Sequence, residues 1–333
     1  MTTTAQPQEL TQLEKELVYA VQSAFPLVER PYRALGQPLH LSEDQVIRTI
    51  RALRTRGIIR QISAIFDSRR LGYTSTLVAM TIPEERLDQG ATAISAHPGV
   101  SHNYKRDHPF NLWFTLTLPP GEDIEAQVER LAQAAGATRT RLLPALRLFK
   151  IGVELDVLNG ANRAEKRPPS PAPALPPGEL TERDRDFVRV LQQDLPAEPR
   201  PFDGWAAELG VGLAELFAWA RRMEEARVMR RFAAVLRHQE AGFVANGMIC
   251  WRMSAEQAAE LGPRLAAYPE VSHCYQRPIY PDWPYSVFSM VHALSHQQCE
   301  EVARRMAADI GVGDYVILYS VKEYKKTRVQ YFA

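Results

Sequence analysis

The chain repeats itself. Gly72-Tyr73, followed by His97-Pro98-Gly99-Val100-Ser101-His102-Asn103-Tyr104-Lys105-Arg106, recurs as Gly242-Phe243, followed by Tyr268-Pro269-Glu270-Val271-Ser272-His273-Cys274-Tyr275-Gln276-Arg277. Each copy runs on into an aromatic strand, a charged helix and a last strand, around Leu148-Phe149-Lys150 and Leu318-Tyr319-Ser320. A unit written twice in one polypeptide is expected to fold as a fused dimer, and a site between the copies is then free to be asymmetric. Both copies retain Val-Ser-His, Tyr and Arg, so function is sought there first.

Between the copies lies a change of composition. Residues 159–179 carry Pro168, Pro169, Pro171, Pro173, Pro176 and Pro177 among Ala, Ser and charged residues. Proline lacks the N–H that a helix or central strand needs, so an extended tether is expected there. At 333 residues there is length for two or more cored domains. The net charge of +1 gives no global electrostatic case for nucleic acid or membrane. Three scattered cysteines, Cys250, Cys274 and Cys299, form no CxxC pair, which argues against a disulfide framework or structural zinc site. The first residues show no secretory pattern and no apolar run reaches membrane-spanning length, so a cytoplasmic protein is expected.

Each half opens with helical periodicity. Leu10, Leu13, Leu17, Val18 and Val21 share one face. Ser42 with Gln45 three residues on reads as a capping box for a second helix, which ends near Gly57. Residues 58–62 and 63–67 then read as a short hairpin wing. The second half repeats this over 180–191, 213–226 and 228–236. After each wing the expected order is strand–helix–strand–strand–helix–strand. Its strands fall at 74–82, 100–107, 110–118 and 138–150 in the first half, with helices at 88–96 and 124–135. The second-half strands fall at 243–253, 271–279, 286–294 and 315–323. The expected fold class is α+β: a tandem repeat of winged helix-turn-helix and ferredoxin-like (βαββαβ) domain, pseudo-dimeric. The domains divide as 1–70, 71–158, a linker at 159–179, 180–240 and 241–333.

This architecture, with Gly57-Ile58-Ile59, Phe66-Asp67 and Gly72-Tyr73, resembles the Lrp/AsnC regulators over nearly the whole chain, twice. The hairpin between the second and third strands departs from them. Where those regulators carry a short effector-binding turn, this chain has Tyr104-Lys105-Arg106-Asp107-His108-Pro109-Phe110-Asn111-Leu112-Trp113-Phe114. The second copy has Tyr280-Pro281-Asp282-Trp283-Pro284-Tyr285. Together with the run from Tyr319 to Arg328, these strings are similar to the siroheme decarboxylases, a family with two-subunit and fused forms. The first half resembles one subunit type and the second half the other. The resemblance implies a carbon–carbon lyase that removes the C12 and C18 acetate carboxyls of siroheme. The product would be 12,18-didecarboxysiroheme for heme d1 or alternative heme biosynthesis. It also implies that no further cofactor is required, the iron belonging to the substrate.

The residues suit that chemistry. Alternation along a strand puts His102, Tyr104, Arg106 and His108 on one face, and His273, Tyr275 and Arg277 repeat the set. Guanidinium groups bind carboxylates in a bidentate way, and neutral imidazole ligates iron or, when protonated, donates a proton. His102, His108, Tyr104 and Arg106 are the catalytic candidates. His273, Tyr275, Arg277, Trp283, Lys322, Lys325 and Arg328 are the substrate-binding ones. His102, His108 and His273 are candidate axial ligands to substrate iron. Lys326 belongs to the same basic end as Lys322, Lys325 and Arg328. The bland readings are a solvated lysine edge for that end and structural roles for His238 and His292; Phe110, Trp113 and Phe114 read mostly as core. The halves are chemically unequal, since His108 has Ile279 opposite and Lys322 falls at Gly152.

Two rival readings remain at this stage. One is a DNA-binding regulator using Arg48, Arg51, Arg54, Arg56 and Arg60, opposed by the acidic opening Glu43-Asp44 of the would-be reading helix. The other is a siroheme or heme sensor without catalysis. The partners expected are siroheme as a small molecule, no membrane, no nucleic acid, and self-association of the fused pseudo-dimer as an open option.

Overall fold

The computed structural model describes residues 10–23, 25–151, 154–156, 161–163, 180–236, 245–293 and 295–333. Of the expected linker 159–179 only residues 161–163 are described, as a short strand; its prolines, Gly152, Gly242-Phe243 and His238 lie outside the described residues. In the first half, α1 (Gln12–Ser23), α2 (Pro31–Gly36) and α3 (Glu43–Thr55) form the helical unit. The capping box at Ser42 and Gln45 is present, and Gly57 takes a φ of 75° after α3. Short α2, entered through Pro31, was too brief to show a period in sequence.

The expected hairpin wing is instead one strand. β1 (Ile59–Phe66) runs unbroken and pairs antiparallel with β9 (Met229–Leu236) of the other half. The physical reason is local. Gln61-Ile62-Ser63-Ala64 contains none of the Gly, Asn or Asp that a tight hairpin turn needs, so the backbone continues and finds its partner in the second copy. The second helical unit is α6 (Glu182–Leu191), α7 (Asp203–Leu209) and α8 (Leu213–Glu225). Both units share one core, in which Leu17, Ile50 and Leu53 meet Phe187, Leu216 and Phe232.

Two ferredoxin-like units follow, also fused. β2 (Thr74–Thr81), α4 (Leu87–Ser95), β3 (Val100–Arg106), β4 (Leu112–Leu118), α5 (Ile124–Ala135) and β5 (Arg139–Pro144) make the first. β6 (Arg147–Ile151) follows, and β7 (Glu154–Asp156) with β8 (Ala161–Arg163) forms a separate two-stranded ribbon. The second unit is β10 (Ala245–Trp251), α9 (Ala255–Ala266), β11 (Val271–Gln276), β12 (Val287–Ala293), α10 (His296–Ile310) and β13 (Tyr315–Lys326).

These strands build one nine-stranded sheet in the order β5-β2-β4-β3-β13-β10-β12-β11-β6. The halves exchange their last strands. β13 pairs with β10 through Tyr315 to Tyr319 and with β3 of the first half through Ser320 to Lys326. In return the expected strand 138–150 divides. β5 stays on β2, while β6 crosses to β11. The break follows from Pro144, which has no N–H to continue the ladder; two residues later Leu146 N–H donates to Gln276 O at 2.8 Å. Because β5 and β6 are joined and stand at opposite ends of the order, the sheet curls back on itself.

Helices cover the outer face with separate cores, α4 and α5 over the first unit and α9 and α10 over the second. The inner face holds a third cluster, including Trp113, Cys250, Trp283 and Phe288. The crossing strand is fastened from outside as well, since Phe149 of β6 packs on α9 where Gly262 leaves room for its ring. A Cβ at Gly262 would fall 2.4–2.7 Å from three ring atoms. Gly262→Ala is therefore expected to lower stability by about 1–3 kcal/mol through overpacking, measured as a shift of the urea midpoint. An unchanged midpoint would mean that this contact does not hold the exchanged strand.

Candidate functional site

Inside the curled sheet lies a cavity of about 620 Å³, bounded by both halves. β3 contributes His102, Tyr104 and Arg106; β11 contributes His273 and Tyr275, with Arg277 just beyond it. The rows expected from alternation are therefore present, and they face one shared space. Six cationic side chains line it, Arg69, Arg106, Arg230, Arg277, Lys322 and Lys326, against two carboxylates, Asp67 and Glu323. Such an excess suits a ligand rich in negative charge.

The two central arginines are held by backbone. Arg106, only 5% exposed, donates from Nη1 to Leu318 O at 2.8 Å, while Arg277 donates from Nη1 to Leu143 O. Each therefore grips a carbonyl contributed by the other half. Each also stacks near the tyrosine of its own row, Arg106 at 5.6 Å from the Tyr104 ring and Arg277 at 4.8 Å from that of Tyr275. The Nε of both has no hydrogen-bond partner among the described residues. Burial lowers both pKa values, that of Arg277 to about 10; a guanidinium is not deprotonated in proteins, so both are cations. Burial raises both tyrosines, which stay as phenols able to donate.

The two histidines differ. The Ser101 hydroxyl lies 3.0 Å from His102 Nδ1, and Lys326 is the strand partner opposite. Burial, reinforced by Lys326 and Arg60, pushes His102 down to about 4. It is a neutral imidazole at physiological pH. His273 faces Ile151 across its strand pair and belongs to a longer chain. Ser272 Oγ is 2.9 Å from His273 Nδ1 and 2.8 Å from His292 Nε2, and His292 Nδ1 is 2.5 Å from Asn246 Oδ1. His292 and Asn246 both line the cavity. At the matching places in the first half stand Thr117 and Ser75, hydroxyl to hydroxyl at 2.9 Å. His292, read as structural from sequence, is thus the main residue missed. The one available signal was its position on the same sheet face as the repeated histidine.

Four expected residues lie elsewhere. His108 follows the end of β3, so alternation no longer applies. Its Nδ1 accepts the Phe110 N–H at 3.0 Å and its ring stacks on Phe110, outside the cavity lining. Trp283 does not cover a ligand face; it is 1% exposed and sits edge-on to Trp113, behind the cavity wall. Lys325 turns outward, donating to Ser95 O and His97 O at the end of α4. A bulge between Glu323 and Lys325 shifts the register and leaves Lys326, not Lys325, opposite His102. Arg328 lines a smaller cavity behind His102 and donates to Ser63 Oγ at 2.7 Å. Lys322 does line the main cavity, with its ammonium 2.9 Å from Asp88.

The helical units put their arginines to other uses. Arg51 donates to Ala197 O, Arg54 to Asp194 and Leu195 O, Arg56 to Glu14 and Arg60 to Lys326 O. Those of Arg51, Arg54 and Arg60 tie one half to the other. On α8, Trp219 is buried and donates to Asp184. Among the described residues no group of three His, Cys, Asp or Glu is placed to hold a metal, and no helix is long and apolar enough to cross a membrane.

Comparison with known proteins decides the family. A model described as a siroheme decarboxylase NirDL-like HTH domain matches residues 14–60 and 184–230. One described as an AsnC-like ligand binding domain matches 70–150 and 240–325. A siroheme decarboxylase of Hydrogenobacter thermophilus is 35% identical over 96% of this chain and 94% of its own. The chain belongs to the siroheme decarboxylase family. The crystal structure of the siroheme decarboxylase NirDL matches it with a TM-score of 0.75 at 32% identity, covering 97% of this chain and 95% of that one. Further support for the fused-dimer reading comes from the beta subunit of a Methanosarcina barkeri siroheme decarboxylase. It is 39% identical over 45% of this chain and 99% of its own, the length of a single half.

One consequence of His102's burial is measurable in any such chain. Unfolded, this histidine protonates near 6.5; folded, only near 4. The unfolded state thus holds an extra proton in that window, and stability falls as pH drops through it. His102→Gln is expected to abolish its share of that loss, at most about 3 kcal/mol, read from urea midpoints at about pH 7 and about pH 4.5. Equal pH dependence in both proteins would contradict the burial.

Proposed function

We propose that this chain is a carboxy-lyase acting on siroheme, removing the C12 and C18 acetate carboxyls to give 12,18-didecarboxysiroheme for heme d1 or alternative heme synthesis. The observation that carries the reading is the single cavity with duplicated His-Tyr-Arg rows and an excess of cations. A macrocycle edged with carboxylates matches that field. Arg106 and Arg277 would hold acetates by charge-assisted hydrogen bonds. Arg69, Arg230, Lys322 and Lys326 would hold the remaining acid arms. No cofactor beyond the substrate's own iron is needed by this chemistry.

Loss of CO2 from a ring acetate needs an electron sink, and the macrocycle can provide it. A proton added to the pyrrole carbon beside the acetate makes the ring electron-poor. The carbon–carbon pair then moves into the ring as CO2 leaves, giving an exocyclic methylene. The methylene takes a proton to become methyl and the ring returns the first one. Each CO2 thus consumes one proton net. His273, backed by Ser272, His292 and Asn246, is suited to deliver and recover protons, because a second imidazole can reload the first. His102, neutral and fixed by Ser101, suits ligation of the substrate iron. Tyr104 and Tyr275 would donate to carboxylate oxygens.

Anaerobic incubation of the purified chain with siroheme, followed by mass and absorbance, tests this. Two successive losses of CO2 are expected. His273→Ala and His292→Ala should lower kcat by roughly 10²–10⁴-fold, and Arg106→Met should chiefly raise KM. Binding without mass loss would favour a sensor, and no binding at all would remove the reading.

A further inference from the structure

Beyond β13 the chain turns back as a strap across the joint between the two helical units, reaching Ser63 and Tyr73 of the first half and Arg189 and Gln192 of the second. Tyr331 and Gln192 exchange two hydrogen bonds, each of 2.8 Å, and Phe332 N–H donates to the Tyr73 hydroxyl at 2.6 Å. The Tyr331 ring lies 5.0 Å from that of Tyr73, and Arg328 reaches Ser63 on β1. The strap is the outer wall of the smaller cavity, about 220 Å³, whose inner wall includes Ser101 and His102. Those two residues also line the main cavity, so they form the partition between the two spaces.

The strap reaches that partition at the Ser101 carbonyl, which accepts the Thr327 hydroxyl at 3.5 Å as well as its N–H. Thr327 N–H donates to Ser101 O at 2.7 Å. Ser101 in turn holds His102 Nδ1 through its hydroxyl. On the opposite side the corresponding hydroxyl, that of Ser272, is held by Met290 O and His292 Nε2. The first half has Thr117 in the place of His292, and Thr117 bonds Ser75. Backbone restraint from the strap thus stands where side-chain restraint stands in the second half.

We propose that the C-terminal strap is a positioning element for His102, acting through the Thr327 N–H on Ser101. Thr327 is a positioning residue and not a catalytic one, since it lines only the smaller cavity. The inference rests on the reading that His102 faces siroheme. Its function is to hold one imidazole orientation against the macrocycle while substrate and two products in succession occupy the main cavity.

The test uses the full-length chain with ferric siroheme for spectra and ferrous siroheme for turnover. Thr327→Pro deletes the N–H. It is expected to lower kcat by roughly 10²-fold with little change in KM, and to shift the absorption and EPR signature of bound ferric siroheme. Thr327→Ala keeps the N–H and should restore the wild-type signature. If Thr327→Pro does not fold, Ser63→Ala, which releases the Arg328 anchor together with the Ser63 hydroxyl's own bond to Ala64 O, must lower kcat in the same direction. Wild-type spectra and kcat in Thr327→Pro, or wild-type kcat in Ser63→Ala where the proline variant does not fold, would overturn the proposal. A wild-type chain that binds ferric siroheme but releases no CO2 would overturn the decarboxylase reading instead. The spectral comparison would then still decide the role of the strap.

Discussion

The exchange of last strands between the halves is the constraint on which everything else depends. Without β13 on β3 and β6 on β11, each ferredoxin-like unit would be a short sheet with an open edge. With them the edges are consumed and the sheet curls into a wall around one cavity. The same exchange fixes the two central guanidiniums. The carbonyl that holds Arg106 belongs to Leu318, on the strand from the second half, and the carbonyl that holds Arg277 belongs to Leu143, at the end of β5. Site and assembly are therefore one structure. Neither half presents its arginine without the other.

Gene fusion allows the two sides of such a site to differ, and they do. One imidazole is neutral, walled by Ser101 and faced by Lys326; the other ends a chain of Ser272, His292 and Asn246. A homodimer would repeat every change on both sides. Here the change from Thr117 to His292 and from Ser75 to Asn246 occurs on one side alone. The proposed removal of two carboxylates from an unsymmetrical macrocycle is a problem that an unsymmetrical cavity fits. The helix-turn-helix units have followed the same course. Arginines that would reach phosphates in a regulator here grip the loop of residues 194–197 in the other half and the end of β13.

Local signals were legible in the sequence. Ser42 and Gln45 form the capping box their spacing announces, and the duplicated Val-Ser-His rows stand on matching strands. What could not be read was the choice of partner. Residues 58–67 and 138–150 are extended, as their composition suggests. Alternation, however, says nothing about whether a strand folds back on itself or crosses to the other copy; 59–66 crosses whole, and 138–150 crosses only in its second part, β6. His108 and Lys325 lie away from the cavity for separate reasons: alternation stops at the end of β3 before His108, and a bulge in β13 turns Lys325 out of a basic end that composition alone marks. Trp283, in a turn rich in proline, was expected to cover a ligand. The bridge between Tyr280 and Trp283 instead turns it inward against Trp113. Beyond its sheet face, nothing in its chain neighbours marks His292, because its meaning depends on three strands meeting.

The central claim is that both halves bind one macrocycle in one cavity. Anaerobic titration of the chain with siroheme measures this directly, as stoichiometry. The account predicts one siroheme per chain, with Arg106→Ala and Arg277→Ala each weakening that single binding event. Two independent sites, each lost with the arginine of its own half, would contradict it.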